Sequence, residues 1–106
     1  MTFQTVRGMR DLIGQDACIQ EFIEANFREV FASYGYLPQY TPAVENFDLL
    51  AAKSAAGEEI KKEIYYFKDK GDRELGLRFD LTVPLGRVAS SNQLKMPYKR
   101  YQIDEV

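Results

Sequence analysis

The sequence predicts an α+β fold in which helices flank a mostly antiparallel sheet. Three observations carry this. Ile19, Phe22, Ile23, Phe27, Val30, Phe31 and Tyr34 recur at spacings of three and four, the period of one amphipathic helix. The stretch Glu74-Leu75-Gly76-Leu77-Arg78-Phe79-Asp80-Leu81-Thr82 alternates with the two-residue period of a strand. Ile64-Tyr65-Tyr66-Phe67-Lys68 precedes it, and Lys70-Gly71-Asp72-Arg73 between them has the chemistry of a tight turn, so the two strands return antiparallel. Helices and strands then follow as helix, strand, helix, hairpin, helix, strand, which is not the alternation of a doubly wound sheet.

The first helix is expected over about 16–34, with Asp16 at its N-cap and Gly35 where a left-handed C-cap residue is wanted. Its apolar face is broad and aromatic, wide enough to cover a sheet. Residues 1–15, with Arg7-Gly8-Met9-Arg10-Asp11, have no clear period and read as an irregular arm. Tyr36 to Thr41 is a short β-prone run ended by Pro42. Asn46 can cap a second helix from Phe47 to about Ser54, with Ala55-Ala56-Gly57 ending it. The charged run Glu58 to Glu63 reads as a solvated loop or a frayed turn. Pro84 suits the first turn of a helix that reaches about Ser91 and has Leu85, Val88 and Ala89 on one side. Tyr98 to Val106 reads as a last strand with no turn or cap after it, which suggests a truncated chain.

The 106 residues allow one domain at most, and 45% hydrophobic with 28% charged residues are globular proportions. With 14 basic and 16 acidic residues in no long block, this segment is not a nucleic-acid clamp by itself. The absence of histidine excludes His-based catalysis and argues against a transition-metal site. The lone Cys18 has no intrachain disulfide partner, fits a reducing compartment, and is expected as a small buried side chain on the first helix. No apolar run reaches the roughly 18 residues of a membrane span, and no signal-peptide pattern opens the chain. A soluble, cytoplasmic protein is expected.

In the alternating stretch, Leu75, Leu77, Phe79 and Leu81 are expected to face the core. Glu74, Gly76, Arg78, Asp80 and Thr82 share the opposite face: a cation, an anion and a hydroxyl, with a glycine leaving room beside them. Two readings stay open on pattern alone. The row could hold a small zwitterion at a strand end. Equally, Thr82 before Val83-Pro84 is an ordinary N-cap, and Arg78 with Asp80 a solvated same-face pair.

Several stretches, in order, resemble the N-terminal part of the histidyl-tRNA synthetases, a class II aminoacyl-tRNA synthetase family. Arg7-Gly8-Met9-Arg10-Asp11 resembles the family's N-terminal signature. Arg28-Glu29-Val30-Phe31, Tyr34-Gly35-Tyr36 and Thr41-Pro42 resemble motif 1, with its long helix, strand and proline. Glu63-Ile64-Tyr65-Tyr66-Phe67-Lys68-Asp69 is similar to the first hairpin strand. Leu77-Arg78-Phe79-Asp80-Leu81-Thr82-Val83-Pro84-Leu85 is similar to the segment that contacts substrate histidine, in its archaeal and eukaryotic-like form. Lys99-Arg100-Tyr101-Gln102-Ile103 resembles the opening of motif 2, although Ile103-Asp104 stands where many relatives carry Ile-Gly.

The resemblance implies an N-terminal piece of a class II catalytic domain: an arm at 1–15, the motif 1 helix and strand at 16–45, a hairpin with the amino-acid-contacting strand at 64–82, and the start of motif 2 at 98–106. It implies that Asp80 accepts hydrogen bonds from the α-ammonium of histidine and that Thr82 adds a contact. Arg78 either touches the ligand or braces its strand. The resemblance also implies that Arg7, Arg10, Tyr34, Gly35 and Pro42 fall in a homodimer interface. ATP and Mg2+ serve the whole enzyme, with tRNA(His) as acceptor. The catalytic arginines of motifs 2 and 3 should lie past Val106, so the 106 residues are expected to be inactive alone. The regulatory subunit of ATP phosphoribosyltransferase, a synthetase-like binding protein, is the alternative, and a bare dimerisation module the third reading. The Phe79-Asp80-Leu81-Thr82-Val83-Pro84 wording favours the synthetase.

Overall fold

The computed structural model describes residues 2–52 and 59–106. The chain forms two compact units, Met1–Leu37 and Pro38–Val106. Ala55, Ala56, Gly57 and Glu58, assigned above to a helix end and a charged run, lie outside the described residues.

The first unit is an arm followed by α1 (Gly14–Ser33). The helix begins two residues before Asp16, and Ile13, an apolar residue, occupies the N-cap without a side-chain bond. Its C-terminal end closes as the sequence suggests. Gly35 takes φ +81°, its amide donates to the Ala32 carbonyl, and the Tyr36 amide donates to the Phe31 carbonyl. These paired bonds satisfy two otherwise orphaned carbonyls, and the Phe31 and Tyr36 rings meet across them. No residue of α1 is buried; Phe22 is 69% exposed, and a shallow groove runs along Phe22, Ile23, Asn26, Phe27 and Val30. Cys18 is exposed, not buried, on a helix that has no buried residue.

In the second unit, β2 (Val44–Asn46), β4 (Glu74–Leu77) and β3 (Tyr66–Lys68) form an antiparallel sheet in that order. Beside it are α2 (Phe47–Ala51), the single turn α3 (Ile60–Glu63) and α4 (Thr82–Ser91). The continuation of β1 (Leu37–Pro38) meets β5 (Arg100–Tyr101), where the Gln39 amide donates to the Tyr101 carbonyl. The expected strands at both places are thus cut to short pieces. Asn46 precedes α2 but makes no side-chain cap bond.

The core reverses the expected face of β4. Gly76 and Arg78 are buried, Leu75 and Leu77 are half-buried, and Phe79 is 48% exposed. The reason is steric. Leu50 from α2 and Ile64 pack onto the glycine so closely that an added Cβ would lie 2.8 Å from Leu50 Cδ1 and 3.0 Å from the Tyr65 carbonyl oxygen. Leu50, Ile64 and Val83 form the buried cluster, joined at its edge by Leu49 and Ile60. In register, Glu45, Gly76 and Tyr66 form one row on this inner face, while Asn46, Leu75 and Phe67 share the outer one. Phe47 meets the Tyr66 ring edge-on at 4.9 Å, and Lys61 Nζ sits 4.7 Å from the centre of that ring. On α4, Val83 and Pro84 are buried, Leu85 and Val88 are half-buried, and Ala89 is exposed.

Candidate functional site

β4 ends at Leu77, five residues before Thr82, so Asp80 and Thr82 are not on a strand. The chain turns through 78–81 into α4, and Asp80 sits at that turn. Its Oδ1 accepts from the Thr82 and Val83 amides, each at 3.2 Å, and its Oδ2 accepts from the Thr82 hydroxyl at 2.8 Å. A carboxylate across the first amides of a helix satisfies donors that have no intrahelical partner, and the partial positive charge there favours the anion. The cap of α4 is therefore the Asp80 carboxylate; Thr82, expected as the N-cap, is the first helical residue. Thr82 has one proton to donate and gives it to Asp80, so toward any ligand its oxygen can only accept.

Arg78 is 6% exposed and points into the protein. Nε donates to the Glu105 carbonyl at 2.8 Å, and Nη1 donates to the Thr41 carbonyl at 3.0 Å, the Thr41 hydroxyl at 3.1 Å and the Pro42 carbonyl at 3.3 Å. Asp104 Oδ1 stands 3.7 Å from Nη2. This is the geometry of a brace: a planar fork collecting carbonyls from two separate segments. A polar chain continues from it, with Gln102 Nε2 donating to the Thr41 hydroxyl and to Asp104, Gln39 donating to Gln102, and Tyr98 donating to Gln39.

Sequence reasoning missed one pair. Glu45 on β2, 6% exposed, accepts from Arg87 of α4 through both oxygens, Nε to Oε1 at 2.8 Å and Nη2 to Oε2 at 3.2 Å. The available signal was a single cation inside the small and apolar run Leu85-Gly86-Arg87-Val88-Ala89. Elsewhere, the Tyr66 hydroxyl donates to Glu74 at 2.7 Å and, with Lys61 and Lys68 nearby, holds that carboxyl below its usual range. The residues expected at a dimer interface lie open: Arg7, Arg10, Tyr34, Gly35 and Pro42 are all exposed. Among the described residues, there is no group of three or more His, Cys, Asp or Glu that could hold a metal ion. No helix of the described residues is long and apolar enough to cross a membrane.

The small antiparallel sheet with helices beside it matches part of the class II aminoacyl-tRNA synthetase fold, as its likeness to solved histidyl-tRNA synthetases shows. A solved histidyl-tRNA synthetase from Nostoc sp. PCC 7120 superposes with a TM-score of 0.82 at 31% identity, over 98% of this chain and 23% of that one. The family model for histidyl-tRNA synthetase matches residues 8–102. The chain belongs to the histidyl-tRNA synthetase family. The histidine–tRNA ligase of Pyrobaculum calidifontis is 49% identical over 102 residues, 95% of this chain and 24% of the relative. A structure described as an ATP phosphoribosyltransferase regulatory subunit/histidyl-tRNA synthetase, from Bacillus halodurans, matches with a TM-score of 0.70 at 26% identity, over 84% of this chain and 23% of that one. The chain spans about a quarter of the length of the relatives it matches.

Proposed function

We propose that this chain is the N-terminal segment of a histidine–tRNA ligase and forms one wall of its histidine pocket. The observation that carries the reading is the family match across residues 8–102. The site chemistry agrees with it. An α-ammonium has donors only, and Asp80 with Thr82 offers an anionic acceptor beside a neutral one whose proton is already committed. Arg78, bonded to Thr41, Pro42 and Glu105, holds the strand end and contributes to the pocket by bracing it.

In this reading the carboxylate of the bound histidine attacks the α-phosphorus of ATP and pyrophosphate leaves; a 3′-terminal ribose hydroxyl of tRNA(His) then takes the histidyl group from the resulting acyl-adenylate, and AMP leaves. Asp80 and Thr82 orient the amino acid for the first step. ATP is held by parts of the enzyme other than these residues, and Mg2+ there supplies charge stabilisation at the phosphates. The segment is inactive alone and works in a cytoplasmic homodimer, to which α1, Arg7, Arg10, Tyr34, Gly35 and Pro42 contribute surface. Phe27, 54% exposed on α1, is the residue to probe: Phe27→Glu should shift sedimentation of the enzyme toward monomer.

The test is a chimera in which this chain replaces the matching quarter of the Pyrobaculum calidifontis ligase. Histidine-dependent ATP–pyrophosphate exchange should persist, and Asp80→Asn should raise the histidine KM about ten- to hundred-fold, the worth of one charge-assisted bond. A folded chimera with no exchange would instead favour the regulatory-subunit reading, which the Bacillus halodurans likeness keeps in view.

A further inference from the structure

Asp80 bonds to the Thr82 and Val83 amides, so its carboxylate travels with helix α4 wherever that helix goes. The orientation of α4 on the sheet therefore sets where the proposed acceptor points. Apolar contact through Val83 and Pro84 holds the helix down, but such contact is non-directional and tolerates rotation and sliding.

The directional contact is Arg87 with Glu45. Arg87 follows Val83 by four residues, which places it on the same helix face one turn further on. Its guanidinium meets both oxygens of Glu45 side by side, at 2.8 and 3.2 Å. Two parallel bonds between planar groups fix angle as well as distance. Glu45 itself is fixed by its strand, opposite Gly76 in the ladder. Burying the Glu45 carboxylate is costly unless the partner geometry is good. An apolar pair could hold the helix at less cost but would not define its rotation.

We propose that Glu45 and Arg87 are positioning residues for the amino-acid site: their bidentate pair sets the rotation and height of α4, and through it the placement of the Asp80 carboxylate and the Thr82 hydroxyl. The inference rests on the reading of Asp80 and Thr82 given under Proposed function. From Thr82 to Arg87 is five residues, about 7.5 Å along the helix axis, so a small tilt at the anchor displaces the first turn. A misplacement of about 1 Å is enough to cost a hundred-fold in rate.

The experiment uses the chimeric ligase with Glu45→Gln and, separately, Arg87→Lys, titrating histidine and ATP independently in pyrophosphate exchange. The histidine KM should rise about ten-fold in each, with the ATP KM within about two-fold of the parent and the melting curve still cooperative. In an Asp80→Asn background, Arg87→Lys should add little further rise in histidine KM, since the residue it positions is already impaired. A histidine KM unchanged in a folded variant, or an Arg87→Lys effect that adds fully to Asp80→Asn, overturns the positioning role. Equal loss of all parameters with the folded fraction also overturns it. If Glu45→Gln fails to fold, Arg87→Lys decides alone, since it keeps the charge opposite Glu45 and removes only the fork. An unmutated chimera that folds without histidine-dependent exchange brings down the functional reading itself, a result distinct from any of these.

Discussion

The Thr82 hydroxyl donates to Asp80 Oδ2 at 2.8 Å while Asp80 Oδ1 accepts the Thr82 and Val83 amides, so one carboxylate both caps α4 and fixes its neighbour as an acceptor. Structural and ligand roles can be separated here by choice of substitution. Asp80→Ala removes the cap and should destabilise the chain by about 1 kcal/mol in urea unfolding. Asparagine is as good a cap as aspartate, so Asp80→Asn should cost only a few tenths of that. A loss of more than about 1 kcal/mol in Asp80→Asn would mean that the charge itself holds the fold.

Among the described glycines, Gly76 is the one that an added Cβ would crowd most. Gly76→Ala places a methyl group 2.8 Å from Leu50 Cδ1 and 3.0 Å from the Tyr65 carbonyl oxygen, and the second of these is backbone. The leucine can rotate; the β3 side of the ladder has to move. The expected loss is about 1–3 kcal/mol in urea unfolding, against the small gain in strand propensity that alanine offers. A neutral Gly76→Ala would show that α2 lifts freely from the sheet.

For Arg78 the prediction turns on shape. Arg78→Lys keeps the charge, but an ammonium cannot reach the Glu105 carbonyl and the Thr41 and Pro42 carbonyls together. Buried acceptors are left without donors, and the loss should be about 2–4 kcal/mol, close to that of Arg78→Ala. If Arg78→Lys is nearly silent in denaturation, the brace carries little and the residue's place belongs to ligand contact instead.

These residues also show what could be read in the sequence. The spacing of α1 and its glycine stop were legible, because helix period and a left-handed cap are local properties. So was the β3–β4 hairpin. The inward face of β4 was not. A two-residue period says which side chains share a face, never which face is covered, and the choice was made by Leu50 settling on Gly76. β2 was missed because Val44-Glu45-Asn46 is too short to display a period and takes its strand form from pairing with β4. Asp80 and Thr82 were read as sharing one face of a strand, whereas their bond depends on the chain leaving the strand at Leu77, which no residue between 77 and 80 announces.

The β3–β4 turn should respond to acid. Asp69 Oδ1 accepts the Gly71 amide at 2.9 Å and the Arg73 amide at 3.0 Å, and Oδ2 accepts Arg73 Nε at 2.7 Å. The Arg73 amide foremost, then its guanidinium and the Gly71 amide, hold the carboxyl below its usual range against the opposing effect of desolvation. With the folded value depressed, the contribution to stability is fully present above the unfolded value, about 3.9, and is lost as pH falls through the folded one. Exchange of the Gly71 and Arg73 amides, corrected for its intrinsic pH dependence, should therefore accelerate below about pH 4. Asp69→Asn should remove that dependence, because the amide side chain has no proton to gain. Protection that stays flat down to pH 2 in the unmutated chain would mean that the turn is held by the Asp72 amide on the Asp69 carbonyl, 3.0 Å, and not by the side chain.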